Sequence, residues 1–245
     1  MIEVYPGALE SILSHKDNGW DFRVGNPEFF RFKDQLVVPG GKVLDLGIGS
    51  GRSSNFFALY GMEVEGIDLD PDSISYLEEF SSETGLPIAA RLDDIKTAQL
   101  PVGRYHVAIL DYAFVHFDSK KYALDVIQKA YDSLVVGGHL WVRGVGKDDG
   151  GYSTMAKTPP YSSDRFENDD VRYASCGCSG EVMIEPHLFL GSTDLLQFAT
   201  SHNMQLIHTQ TLPQPDTFNL MYGHEFARGR GYGKVNGHVT LLARK

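Results

Sequence analysis

The sequence predicts an α/β fold, a parallel sheet with helices on both faces, and three observations carry that prediction. Short apolar runs alternate with helix-periodic segments from Val43 to Val142. One such run, ending Val43-Leu44-Asp45-Leu46, stops at Gly47, Gly49 and Gly51 and opens into a helix-like segment. Another, Tyr105 to Leu110, reads as buried on both faces, as parallel strands are. Strands and helices at this interval form βαβ units.

The chain has 245 residues, enough for one α/β domain with a sizeable core, and a single domain over 1–245 is expected. Its hydrophobic share of 42% and charged share of 22% are ordinary for a soluble globular protein. The net charge of −10 argues against a broad nucleic-acid or anionic-membrane surface, which needs clustered Lys and Arg. The local exception is Arg228, Arg230 and Lys234 in a glycine-rich stretch, read as a solvated loop or as an anionic-substrate contact. No apolar run reaches the roughly 18 residues of a membrane span, and MIEVYPGALE lacks a signal-peptide pattern. Cys176 and Cys178 are too close to form a disulfide framework, so a cytoplasmic protein with reduced thiols is expected.

In chain order, residues 1–35 read as an N-terminal helical arm, packed against the sheet edge or forming a flap over the ligand. Gly7 to His15 is weakly helical, and a better helix has Asn26 as N-cap, Pro27 at its first position and Phe29, Phe30 and Phe32 on it. Strand Val43–Leu46 is followed by helix Ser53–Tyr60, ended by Gly61. Strand Glu63–Asp68 breaks into Asp70-Pro71, a capped start for a helix through Ile74, Leu77 and Phe80. Pro87–Leu92 and Tyr105–Leu110 are further strands. Helix Ser119–Leu134 turns at Gly137-Gly138 into strand His139–Val142. The rhythm stops over 146–190, a Gly-, Ser-, Pro- and Asp-rich insertion read as a lid. Ser192 then caps a helix, and strands Gln205–Thr211 and His238–Ala243 follow.

The glycine turn is expected to bring bare backbone N–H groups up to a ligand where any Cβ would clash. By itself it is a weak signal, and its neighbours sharpen it. The dinucleotide fingerprint needs a third glycine where this chain has Arg52. Asp45, two residues before the first glycine, would repel a pyrophosphate but can meet an ammonium or pin the turn. Asp68, ending the next strand, can accept both hydroxyls of a ribose. The ligand implied has a ribose, an amino group and no pyrophosphate, which S-adenosylmethionine satisfies.

At this point the sequence resembles the class I S-adenosylmethionine-dependent methyltransferases, over roughly residues 36–145 and 190–245. Val43 to Gly51 is similar to their first motif, which implies that Gly47, Gly49, Ser50 and Gly51 meet the methionyl part. Gly66-Ile67-Asp68-Leu69-Asp70-Pro71 is similar to the second, which implies Asp68 on the ribose and Leu69 against adenine. Asp93-Asp94-Ile95 stands where the family meets the adenine edge, with Asp94 and Ile95 the residues chosen. The run ending Asp111-Tyr112-Ala113-Phe114-Val115-His116 resembles the fourth-strand motif and implies Asp111 near the methionyl ammonium. The resemblance implies a Rossmann-like sheet of seven strands, mostly parallel, with an antiparallel last strand. Gly49-Ser50-Gly51-Arg52 and the terminal Val239 to Lys245 also resemble the tellurite-resistance type of methyltransferase.

Methyl transfer from a sulfonium is an in-line displacement, and a hydroxyl or amine acceptor needs a base. His116 and Tyr112 are the candidates for that role. Arg52 could pair with a methionyl carboxylate or an oxyanion. The function expected is methyl transfer to a small-molecule acceptor, without nucleic-acid or membrane partners. Alternatives are a non-catalytic S-adenosylmethionine-binding protein and a nicotinamide-dependent oxidoreductase. Cys176, Cys178 and His187 do not have a standard zinc spacing, and no metal is expected.

Overall fold

The computed structural model describes residues 27–146, 171–176, 183–188, 190–212 and 238–245. Its strands, in chain order, are β1 (Lys42–Leu46), β2 (Glu63–Asp68), β3 (Ile88–Leu92), β4 (Tyr105–Asp111), β5 (Leu134–Val145), β6 (Val171–Cys176), β7 (Met183–Leu188), β8 (Gln205–Leu212) and β9 (His238–Arg244). Seven of them form one sheet in the order β3-β2-β1-β4-β5-β9-β8. The expected Rossmann-like α/β sheet is present. β1 runs parallel to β2 and to β4, with Asp45 opposite Gly66 on one side and Ile109 on the other, and β2 runs parallel to β3. β9 is antiparallel to β5: Gly137 N–H donates to Lys245 O, and Lys245 N–H donates to Gly138 O.

By its internal contacts the chain divides into two compact units, the first made of residues 1–111, 128–141 and 244–245. Its described part starts with α1 (Pro27–Arg31) and α2 (Lys33–Leu36), because the helix expected over Pro27 to Phe32 breaks at Phe32. Phe29 is fully buried, with its ring 4.7 Å from Trp141 of β5 and 5.0 Å from Phe57 of α3 (Arg52–Leu59). The described end of the arm, from Pro27, therefore packs through Phe29 on β5 and on α3. An apolar ring buried among aromatics gains more than one left at a rim. Gly7 to His15 lies outside the described residues.

Helix α4 (Pro71–Thr84) starts as its sequence requires: Asp70 accepts from the N–H groups of Asp72 and Ser73, and Pro71 occupies the first turn. It buries Ile74, Leu77 and Phe80 and ends at left-handed Gly85. Helix α5 (Lys120–Ser133) passes directly into β5, which starts at Leu134 and not at the expected His139. Gly137-Gly138 is thus not a helix-to-strand turn. Gly137, at φ +83°, bends the strand where its edge meets Lys245.

The second unit comprises residues 112–127 and 142–243. A 3-10 turn over Ala113–His116 follows Tyr112. Within the expected lid β6 and β7 form a two-stranded antiparallel hairpin, with Val171 opposite Leu188 and Cys176 opposite Met183. Cys176 therefore ends a strand; Cys178 lies outside the described residues, as do Arg228, Arg230 and Lys234. β7 packs against the 3-10 turn. Helix α6 (Ser192–Ser201) is capped by Asp194, whose Oδ2 accepts from Gly191 N–H at 2.9 Å; Ser192 is its first residue, not the expected N-cap. Among the described residues no helix is long and apolar enough to cross a membrane.

Candidate cofactor site

Three glycines shape the turn after β1, each in the left-handed region: Gly47 at φ +78°, Gly49 at +51° and Gly51 at +81°. Their N–H groups are engaged within the protein, which corrects the expectation of bare donors. Gly47 N–H donates to Ile67 O at 2.8 Å, Gly49 N–H to Asp68 Oδ2 at 2.7 Å and Gly51 N–H to Ile48 O at 2.9 Å. The glycines instead differ in what lies beside them. A Cβ on Gly51 would stand 2.5 Å from Leu77 Cδ2, so this glycine lets α4 approach the turn. A Cβ on Gly49 would meet nothing within 4 Å, so Gly49 borders open space.

Three carboxylates accompany the turn, each held by a donor. Asp45 is 2% exposed and accepts from Ser54 Oγ at 2.7 Å. Burial pushes its carboxyl up to about 7; Ser54's hydrogen bond opposes the rise, Asp111 and Asp68 add to it, and the Arg52 charge lowers it. Asp111 accepts from Ser53 Oγ at 2.5 Å. Asp68 accepts from Gly49 N–H on one oxygen and from Asp70 N–H, at 3.0 Å, on the other. A carboxylate offers about four lone-pair directions, so two of Asp68's remain for a ligand.

Beside Asp68, Leu69 leaves 64% of its surface exposed, an apolar face next to hydrogen-bond acceptors. Asp94 Oδ1 accepts from Lys96 N–H at 2.8 Å, and its carbonyl accepts from Ala98 N–H at 2.7 Å. Asp93 pairs with Arg91 and caps Asp94 N–H. Ile95 is buried, so less than a tenth of it is available to any ligand. Ser50 is half-buried in the turn. One turn into α3, both polar atoms of the Asn55 amide are buried without a hydrogen-bond partner among the described residues. This donor set fits a cationic ligand carrying vicinal hydroxyls: carboxylates crowd together at a cost that a positive charge would relieve.

Tyr112 and His116 belong to the second unit. Tyr112 is left-handed at φ +64°, donates its N–H to Arg143 O at 2.7 Å, and has the Arg143 guanidinium 5.0 Å from its ring centre. His116 closes the 3-10 turn; its side chain is outside the described ones, as is that of His187. No group of three metal-ligating side chains occurs among the described residues. Sequence reasoning missed Ser53 and Ser54, which pin Asp111 and Asp45, and Arg143. The serines' signal was legible as a hydroxyl pair in the first turn after the glycines.

The family model described as tellurite resistance protein TehB matches residues 32–153 of this chain. A probable S-adenosyl-L-methionine-dependent methyltransferase TehB from Haemophilus influenzae (strain 10810) is 32% identical over 114 residues, 46% of this chain and 39% of that protein. The chain thus spans about two fifths of that relative's length. The expected resemblance to the S-adenosylmethionine-dependent methyltransferases is borne out over that segment, just under half of the chain. Solved structures of such methyltransferases share its fold. One from Methanosarcina mazei has a TM-score of 0.68 at 16% identity and covers 89% of this chain and 97% of its own. The Burkholderia thailandensis 1,6-didemethyltoxoflavin-N1-methyltransferase, with 1,6-didemethyltoxoflavin and S-adenosylhomocysteine bound, has a TM-score of 0.54 at 15% identity, over 84% and 72% of the two chains.

Proposed function

We propose that this chain binds S-adenosylmethionine at the turn after β1 and catalyses methyl transfer to a small-molecule acceptor, as one methyltransferase domain over residues 1–245 in the cytoplasm. The observation that carries the reading is the set of pinned carboxylates, Asp45, Asp68 and Asp111, around a glycine turn with open space at Gly49. Bound there, the cofactor supplies an electrophilic methyl group on a cationic sulfur.

In this reading Asp68 accepts the ribose hydroxyls, Leu69 covers the adenine face, and Asp94 with Ile95 meets its edge. Asp45 and Asp111 face the methionyl ammonium, and the turn of Gly47, Gly49, Ser50 and Gly51 borders the methionyl chain, with clearance at Gly49. The acceptor atom's lone pair forms the new bond to the methyl carbon as the carbon–sulfur bond breaks and its electron pair stays on sulfur. A hydroxyl or amine acceptor also gives up a proton, which the neutral His116 imidazole or a Tyr112 phenolate takes; a thiolate needs positioning only. A small acceptor is supported by the net charge of −10 and by the Burkholderia neighbour, which holds 1,6-didemethyltoxoflavin, a small molecule.

A thermal-shift series with S-adenosylmethionine, S-adenosylhomocysteine and NAD tests the cofactor, and a methyl-transfer panel of thiol, amine, hydroxyl, carboxylate and metalloid-oxyanion acceptors tests the reaction. Stabilisation by the first two ligands and turnover of one acceptor class are expected. Stabilisation by NAD alone would overturn the reading.

A further inference from the structure

We infer that Arg143 is a positioning residue for the proposed methyl transfer, holding Tyr112 in its left-handed conformation and thereby fixing the turn 112–116. The inference rests on the function proposed above. Arg143 lies near the end of β5 and is fully buried. Long cations are rarely placed so deep unless their charge is used. Its backbone carbonyl accepts the Tyr112 N–H at 2.7 Å, and its guanidinium stands over the Tyr112 ring, 5.0 Å from the centre. One residue thus holds both the backbone and the ring of Tyr112.

That hold is needed because Tyr112 carries a Cβ at φ +64°, a conformation that glycine takes freely and tyrosine resists. Such residues persist where the surroundings over-determine them, and they cluster at functional sites. The next residue of β5 completes the clamp. Gly144 leaves room for the fully buried Phe114 ring: a Cβ there would stand 2.2 Å from Phe114 Cζ. The pair Arg143-Gly144 therefore grips the turn at two points, Tyr112 and Phe114. β7 packs against the same turn.

The test combines hydrogen exchange with kinetics on the whole chain. Arg143→Met should speed exchange of the Tyr112 amide at least tenfold while amides of β1 stay unchanged. Arg143→Lys, which keeps a cation for the ring, should return most of the protection. With the acceptor found by the panel, Arg143→Met should lower kcat at least tenfold and leave KM for S-adenosylmethionine within threefold. In a Tyr112→Gly background, where no left-handed strain needs holding, adding Arg143→Met should change exchange of that amide less than threefold. Unchanged exchange overturns the hold, and faster exchange with unchanged kcat overturns its role in the reaction. An equal exchange effect in both backgrounds overturns action through Tyr112. Should Arg143→Met not fold, Arg143→Gln carries the same comparison. Failure of the methyl-transfer reading would show separately, as no turnover by the unaltered chain, with the exchange arms still deciding the hold.

Discussion

Ser54 Oγ donates a 2.7 Å hydrogen bond to Asp45 Oδ2, and both side chains are buried. The hydroxyl comes from the first turn of α3 and the carboxylate from β1, so this bond ties together the two elements that the glycine turn joins. One neutral donor does not offset the loss of water around a charge, which is why the Asp45 carboxyl is pushed up to about 7.

Asp45 therefore makes stability depend on pH. Below an ordinary carboxyl value of 3.8 it is protonated in folded and unfolded chains alike. Between there and about 7 the folded chain keeps a proton that the unfolded chain has lost, so stability falls as pH rises. Above that window the penalty is complete, roughly 4 kcal/mol. Asp45→Asn, which keeps an acceptor for Ser54, should unfold at higher urea than the unaltered chain at about pH 8 and show no such gain near pH 4. A gain equal at both pH values would contradict an origin in the buried charge.

Asp68→Ala removes the acceptor of Gly49 N–H and Asp70 N–H together with the proposed ribose contacts. Affinity for S-adenosylmethionine measured by calorimetry should fall roughly 10- to 1,000-fold, the loss of up to two charge-assisted hydrogen bonds. Unchanged affinity would remove Asp68 from the cofactor site.

Gly49 and Gly51 should respond differently to alanine. At Gly51 the new methyl meets Leu77 in the core as well as the left-handed strain, for a loss of about 2–4 kcal/mol in urea unfolding. At Gly49 only the strain applies, about 1–2 kcal/mol. Cofactor affinity should be hurt more at Gly49, where the methyl enters the open space. The reverse order in unfolding would show that the turn is packed otherwise.

Lys245 donates through Nζ to the carbonyls of Tyr131 and Leu134, at 3.0 and 2.9 Å, and its ammonium stands 4.5 Å from the Tyr131 ring centre. A cation there satisfies carbonyls at the junction of α5 and β5 and complements the negative end of the α5 dipole. Lys245→Met should lower stability by about 1–2 kcal/mol, read from thermal unfolding, without altering cofactor affinity. No loss would mean that water satisfies those carbonyls as well as the lysine does.

Local chemistry was enough to read the alternating strands and helices, the Asp70-Pro71 helix start and the acidic residues beside the glycine turn, because caps, periodicity and φ preferences act over a few residues. Those signals also led to the parallel sheet, which is present, and to the resemblance that the family model and the relatives bear out. The break at Phe32, the start of β5 at Leu134 and the hairpin within the expected lid were not legible. Each depends on partners distant in sequence: Phe29 packs on Trp141, the Gly137 bend pairs with Lys245, and β6 needs β7. Asp45 and Asp68 could be named from position, and Asp111 from the family resemblance. That Ser54, Gly49 and Ser53 are the groups that hold them was decided by the fold, since burial and hydrogen-bond geometry exist only once β1, β2, β4 and α3 are assembled.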